Sequence, residues 1–135
     1  IYTTMADKST LSRAFNTHLI EFFDDIIRIY PENQDISKAK TSFETIKKAN
    51  PSLIVKAWYQ KVYMPYQQII DAGDIAFFFD KDYSQDLQSV SNAGEIMRMI
   101  DKIREPVRSM NDENRDHCMK YIQNLSKIST VYSSM

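Results

Sequence analysis

The two histidines are the side chains best suited to chemistry, so their neighbours decide which site the sequence could build. His18 and Glu21 are three residues apart and share a face if their segment is helical, a spacing that a metal pair could use. His117 and Cys118 are adjacent and would point about 100° apart on a helix, which disfavours binding of one ion by both. Structural zinc needs four such ligands, and di-iron bundles need a Glu-x-x-His order that the chain lacks. We therefore predict no metal site and assign both histidines to packing or capping.

An acidic segment with alternating oxygen-bearing side chains is spaced like the first ligands of an EF-hand loop. These residues are Asp80, Asp82, Ser84 and Asp86. The EF-hand loop needs glycine at its sixth position and a bidentate glutamate at its twelfth, where this chain has Gln85 and Ser91. We interpret the segment as a solvated acidic loop that holds no ion.

The carboxylates and nucleophiles show no arrangement typical of an active site. Asp24 and Asp25 are adjacent, whereas paired catalytic carboxylates face each other across a cleft. The chain has no Gly-x-Ser-x-Gly turn, no phosphate-binding loop and no cysteine–histidine pair in a nucleophile's setting. We predict that the protein is not an enzyme and uses no catalytic residue and no cofactor.

Aromatic side chains are frequent in the middle of the chain, and we predict that some of them bind a protein partner. Three consecutive phenylalanines cannot all point inward from one helix, because each step rotates by about 100°. Packing in the core is favoured for the aromatics as a group, as for Trp58, which shares a face with Val62, and a partner surface ranks second. We expect Tyr59 and Tyr66 to be the most exposed. The predicted partner-binding set is Tyr59, Tyr63, Tyr66, Phe77, Phe78 and Phe79.

Lysines interleave with these aromatics and suggest nucleic-acid binding as the alternative function. Aromatic platforms with nearby cations can stack single-stranded bases. The net charge of −1 gives the whole chain no general attraction for polyanions, which ranks this alternative below a protein partner. The residues that would serve it are Lys40, Lys47, Lys48, Lys56 and Lys61.

The elements that must position these residues are predicted to be helices. Only two glycines occur in 135 residues, and tight hairpins depend on glycine because it tolerates positive φ. Apolar side chains recur every three or four residues, which is the period of one buried helical face. The sequence predicts an all-α fold, namely a compact bundle of five to six helices with short loops and no sheet.

Caps and prolines place the first two helices. The first is predicted at residues 9–30, with Asp7 or Ser9 as its cap and Pro31 as its stop. The second should bury Ile36, Ala39, Phe43 and Ile46 and turn Lys38, Lys40, Lys47 and Lys48 outward.

Asn50 is predicted to cap a third helix with Pro51 at its first position. Pro65 either kinks this helix or begins a new one, which closes at Gly73 in a left-handed conformation. Residues 74–91 are the least determined, and we predict a short helix followed by a loop or a second short helix.

Two further helices are predicted near the C-terminus. A capping box at residues 92–95 begins one that carries Ile96, Ile100, Ile103 and Val107. Asn111 should cap the last helix, with Cys118, Ile122, Leu125, Ile128 and Tyr132 as its buried stripe.

Length and composition indicate one domain. We expect residues 1–8 to be a disordered or non-native N-terminus, residues 9–132 to form the helical domain, and residues 133–135 to fray. Cys118 is the only cysteine, so no intrachain disulfide can form, and a reducing compartment is expected. The sequence shows no membrane-spanning apolar run and no signal-peptide pattern, so we expect a protein that is neither secreted nor bound to a membrane.

Two stretches of the sequence resemble a known group of proteins. They are SRAFNTHLIEFFDD at residues 12–25 and PYQQIIDAGDIAFFFDKDY at residues 65–83. Together they resemble a family of small helical proteins from nucleocytoplasmic large DNA viruses, especially those of algae and amoebae, and the resemblance covers nearly everything after Met5. It carries no catalytic residue. It implies a viral protein in the host-cell cytoplasm or virus factory, with packaging in the virion as an alternative.

The expected function is that of a non-enzymatic helical protein-interaction module, either a virion component or an accessory of replication or transcription. Its partner would be a viral or host protein, and the sequence leaves homo-oligomerisation open. Nucleic-acid binding through the lysines is the alternative.

Overall fold

The computed structural model describes residues 7–74, 102, 104 and 106–135, and these residues are helical apart from short turns. The helices with both ends described are α1 (Lys8–Ile29), α2 (Gln34–Ala49), α3 (Leu53–Ala57), α4 (Gln67–Ala72) and α5 (Asp112–Ser133), and residues 102, 104 and 106–108 are helical as well. A π-helix (Trp58–Tyr63) and a 3-10 turn (Met64–Tyr66) connect α3 to α4. The described part of the chain contains no strand, and the predicted all-α class is confirmed.

Helix α1 has the cap and the stop that its sequence predicts. The Asp7 carboxylate accepts a hydrogen bond from the Thr10 amide at 2.8 Å, and this bond lowers the pKa of Asp7. The helix ends at Ile29, and Tyr30 is its C-cap directly before Pro31. Its inward face is almost fully buried and consists of Phe15, Leu19, Phe22, Phe23 and Ile26.

Helix α2 buries the predicted face, but one of its lysines does not point outward. Ile36, Ala39 and Phe43 are buried, whereas Ile46 is only half-buried. Lys40 reaches across to α1, where its Nζ atom lies 2.6 Å from Oδ1 of Asp24. The long lysine stem allows this contact, which the position of Lys40 along α2 alone does not reveal.

The predicted cap at Asn50 is wrong. Asn50 is the C-cap of α2, with its amide donating to the Ile46 carbonyl at 2.8 Å, and α3 begins only at Leu53. The Asn50 side chain accepts a hydrogen bond from the Ser52 hydroxyl at 3.2 Å. Residues 51 and 52 therefore form a turn between the helices, and Pro51 is not the first residue of a helix.

The helix around Pro65 changes its hydrogen-bond pattern. The Met64 amide donates to the carbonyl of Tyr59, five residues back, as in a π-helix. Pro65 has no amide to donate, and regular α-helix resumes only at Gln67. Helix α4 closes at Gly73 with φ of 73°, which confirms the predicted left-handed cap.

Helices α1 and α5 run antiparallel and form the most extensive pair among the described elements. Lys8 lies over the ring of Tyr132, whereas Asp25 lies near His117 at the opposite end. The Trp58 ring packs edge-on against Phe15 at 5.7 Å between centroids, and its indole N–H donates to Ser126 Oγ at 3.0 Å. This indole joins α1, α5 and the π-helix around one buried group.

Helix α5 confirms its predicted cap and its stripe. The Asn111 side chain accepts from the Asn114 amide at 2.9 Å. Of the stripe, Cys118, Ile122, Leu125 and Tyr132 are buried, and Ile128 is half-buried. No helix in the described part combines the length and the apolar character needed to cross a bilayer.

Several sequence predictions concern residues outside the described part. These are the Phe77–Phe79 run, the acidic segment at residues 80–86, the capping box at residues 92–95, and Ile96, Ile100 and Ile103. Val107 is described, and it is fully buried. The domain boundaries stay predictions.

Candidate interaction surfaces

The π-helix and the 3-10 turn contain three tyrosines and one methionine within residues 59–66. We call Tyr59, Tyr63, Met64 and Tyr66 the tyrosine surface. All three tyrosines are half-buried. The expected greater exposure of Tyr59 and Tyr66 is therefore not observed. Met64 is 55 % exposed, more than any other large apolar side chain in the described part. The tyrosine surface therefore has half-covered rings beside an uncovered thioether.

Tyr63 is held rigidly within this surface. Its hydroxyl lies 3.1 Å from both carboxylate oxygens of Asp71 on α4, to which it donates. Burial, reinforced by that hydrogen bond, raises the pKa of Tyr63. The Tyr59 ring leans against Tyr63 at 6.2 Å between centroids. The two rings therefore contact each other, and one of them is hydrogen-bonded to α4.

The five lysines of the nucleic-acid alternative do not form one free basic strip. Lys40 is paired with Asp24, and this hydrogen bond raises the pKa of Lys40. Lys47 and Lys61 are half-buried, and only Lys48 and Lys56 are exposed. The salt bridge of Lys40 reduces the positive charge that this face could offer to phosphates.

The two histidines differ in exposure, and neither belongs to a metal cluster among the described residues. His18 Nδ1 lies 3.2 Å from Glu21 Oε1, as the three-residue spacing allows. Cys118 is buried, which raises the pKa of its thiol to about 12, whereas the neighbouring His117 is largely exposed. The described residues contain no group of three side chains that could bind a metal ion.

The sequence did not reveal a network centred on Tyr121. The Tyr121 hydroxyl donates to Oδ2 of Asp25, and Arg28 pairs with the other oxygen of the same carboxylate. His117 Nε2 approaches Asp25 Oδ2 at 3.5 Å. The network joins the middle of α5 to the C-terminal half of α1.

Aromatic rings surround Tyr121 on three sides. Phe22 stacks on it at 5.0 Å, His18 tilts against it at 4.7 Å, and His117 meets it edge-on at 5.3 Å. Burial raises the pKa of Tyr121, and the charge of Glu21 adds to the effect. The hydroxyl is thus kept protonated as a donor to Asp25, and the groups of the network satisfy each other.

Two open grooves flank this network along α1 and α5. One, of about 690 Å³, is lined by residues that include Arg13, His18 and Lys127. The other, of about 630 Å³, is lined by residues that include Arg28, Glu113 and Asp116. Because their lining residues continue the same helical stripes, we describe both grooves together as the α1/α5 face.

Comparison of the chain with protein-family models, with curated proteins and with solved structures finds no match. The chemistry and geometry of the tyrosine surface and the α1/α5 face are therefore the basis for assigning a function.

Proposed function

We propose that the chain is a non-enzymatic helical module that binds a protein partner through the tyrosine surface. One observation carries the proposal: Met64 is 55 % exposed in the midst of three half-buried tyrosines. Tyrosine and methionine are enriched at protein interfaces, where they add large contact area. The proposed contact is a small apolar patch with phenol groups at its edges.

The order within this surface supports a binding role. Tyrosine has few rotatable bonds, so fixing it against a partner costs little entropy. Asp71 fixes the Tyr63 hydroxyl, and the methionine side chain can adapt to an irregular partner surface. Short π-helical turns also occur frequently at functional sites, and this one contains Tyr59 and Tyr63.

The hydrogen bonds and ion pairs of the Asp25 carboxylate support the proposal that the module is not an enzyme. The Asp25 carboxylate of the Tyr121 network is engaged by Tyr121, Arg28 and His117. A general base must be free to take a proton from a substrate. We infer that this network stabilises the pairing of α1 with α5.

The setting is proposed from the sequence resemblance described above. We propose that the module works in the host-cell cytoplasm or virus factory of a large DNA virus, or in the virion. Its partner would then be a viral or host protein. Outside the virion, the module would be an accessory of the replication or transcription machinery.

A pair of matched variants tests the proposal. Met64→Glu should reduce the recovery of specific partners at least about tenfold when the tagged full-length chain is used as bait, because a charge in a desolvated contact costs at least about 1.4 kcal/mol. Met135→Glu is the control, because Met135 is a similarly exposed methionine, 47 %, at the chain end. Equal recovery by both variants and the wild type would rule out the tyrosine surface as the binding site.

A further inference from the structure

The net charge of α1 and α5 changes sign along each helix, although the acidic halves also contain Arg28 and Arg115. Helix α1 has no carboxylate between residues 8 and 20, and α5 has none after residue 116. The cationic halves contain Lys8 and Arg13 on α1 and Lys120 and Lys127 on α5. The acidic halves contain Glu21, Asp24 and Asp25 on α1 and Asp112, Glu113 and Asp116 on α5.

The stability of α1 does not explain this order. A helix is stabilised by acidic side chains at its N-terminus and by basic ones at its C-terminus, where they complement the helix dipole. The first turn of α1 contains no acidic residue and has Lys8 at its start. Helix α5 follows the favourable order, whereas the first half of α1 opposes it.

The antiparallel pairing then places like charges side by side. Arg13 and Lys127 line one groove of the α1/α5 face together with Glu21, and Glu113 and Asp116 line the other together with Arg28 and Lys120. The side chains of Arg13, Lys127, Glu113 and Asp116 are exposed, and none of these four makes a salt bridge within the described part of the chain. The face therefore has a basic end with net positive charge and an acidic end with net negative charge, and the four side chains are open to solvent.

We propose that the α1/α5 face binds a second copy of this chain in antiparallel orientation, with the basic end of each copy on the acidic end of the other. A face with one block of each sign is complementary to itself under a two-fold rotation, which is the symmetry of most homodimers. Each copy then contributes one basic end and one acidic end. In a closed dimer each basic end lies against an acidic end of the other copy. This dimer is independent of the tyrosine surface.

Exposed apolar side chains lie near both ends of the same face. Ile29, at the acidic end, is 38 % exposed, and Val131, one helical turn beyond Lys127, is 50 % exposed. In the antiparallel arrangement, Val131 of each copy approaches the end where its partner presents Ile29. Burial of these side chains adds an apolar contribution to the electrostatic one.

Sedimentation velocity of the full chain tests the dimer. At low ionic strength we expect twice the monomer mass, with dissociation as salt approaches about 1 M, where the Debye length is about 3 Å. Reversing the basic end with Arg13→Glu and Lys127→Glu should weaken association at least about tenfold, and so should reversing the acidic end with Glu113→Lys and Asp116→Lys. Circular dichroism checks that each variant keeps its helical content.

Mixing the two reversed variants provides the decisive result. Neither should dimerise alone, but together they should form a heterodimer, because each of its two contacts again joins opposite charges. Met64→Glu should dimerise like the wild type. A wild type that is monomeric at low salt would overturn the proposal, as would reversed variants that associate like the wild type or a mixture that stays monomeric. Capture of a purely acidic peptide by a monomeric wild type would assign the basic end to a different partner and would also overturn it.

Discussion

At the scale of single residues, burial decides how the ionisable groups behave. The Cys118 thiol lies inside the helical core, 3.7 Å from the sulfur of Met110, and its pKa is raised to about 12 from an ordinary 9.0. Only the thiolate reacts readily with alkylating agents or oxidants. The buried Cys118 thiol therefore stays protonated at neutral pH and packs within the core.

The raised pKa of Cys118 predicts how stability depends on alkaline pH. Between about pH 9 and pH 12 the unfolded chain loses the thiol proton while the folded chain keeps it, so the free energy of unfolding falls as pH rises. The pKa values of Tyr63 and Tyr121 are raised in the same direction. Urea unfolding at several alkaline pH values should show this decline, and Cys118→Ala should make it shallower. A free energy of unfolding that is constant above pH 9 would contradict this account.

The hydroxyl of Tyr121 should contribute more to stability than that of an ordinary tyrosine. Tyr121→Phe leaves the packing with Phe22 and His18 but removes the hydrogen bond to Asp25, so we expect a loss of about 1 kcal/mol. Tyr59→Phe is the matched control, with an expected change of less than about 0.5 kcal/mol, because Tyr59 is half-buried and lies outside the network. Chemical denaturation of both variants measures the difference, and equal losses would argue against the network.

At the scale of elements, one buried hydrogen bond connects the π-helix to α5. Ser126→Ala would leave the Trp58 indole N–H without a partner in the core, and we expect a loss of about 1 to 3 kcal/mol. Ser129→Ala is the control, since Ser129 is equally buried but donates only to the Ser126 carbonyl of its own helix, which Thr130 also contacts. Its loss should be below about 1 kcal/mol. Thermal or chemical unfolding that ranks the two variants in the opposite order would refute this assignment.

Local signals allowed some elements to be predicted and left others undetermined. Asp7, Pro31, Gly73 and Asn111 act within their own turns, so the ends of α1, α4 and α5 could be read from the sequence. The prediction that Asn50 caps the start of a helix is wrong because asparagine can cap either end. Here it caps the end of α2, and its side chain accepts a hydrogen bond from the Ser52 hydroxyl. The π-helix has no distinct sequence signal, since it differs from α-helix only in which carbonyl each amide meets.

At the scale of the whole molecule, the pairing of distant segments was the missing information. The sequence does not indicate that His18 and His117 contact the same ring, because their common contact with Tyr121 depends on α1 lying against α5. The same pairing unites the basic and acidic halves of the two helices into one face. Periodicity predicts that a helix buries a face, but it does not determine which helix lies opposite.

The tyrosine surface and the α1/α5 face are proposed to serve different contacts. The first joins the π-helix to α4, and the second consists of side chains from α1 and α5. A variant at one surface should therefore leave binding at the other unchanged. This independence makes the heterologous partner and the dimer separable in experiments.

Site-specific photo-cross-linking tests most directly whether the chain binds another protein through the tyrosine surface. A photoreactive amino acid placed at Met64 should give a cross-link to a different protein in extracts of the cells that naturally contain the chain, because Met64 would lie inside the contact. The same probe placed at Met135, which is also exposed, should not give this product. A probe at position 64 that cross-links no other protein, or only those that position 135 also captures, would contradict the account.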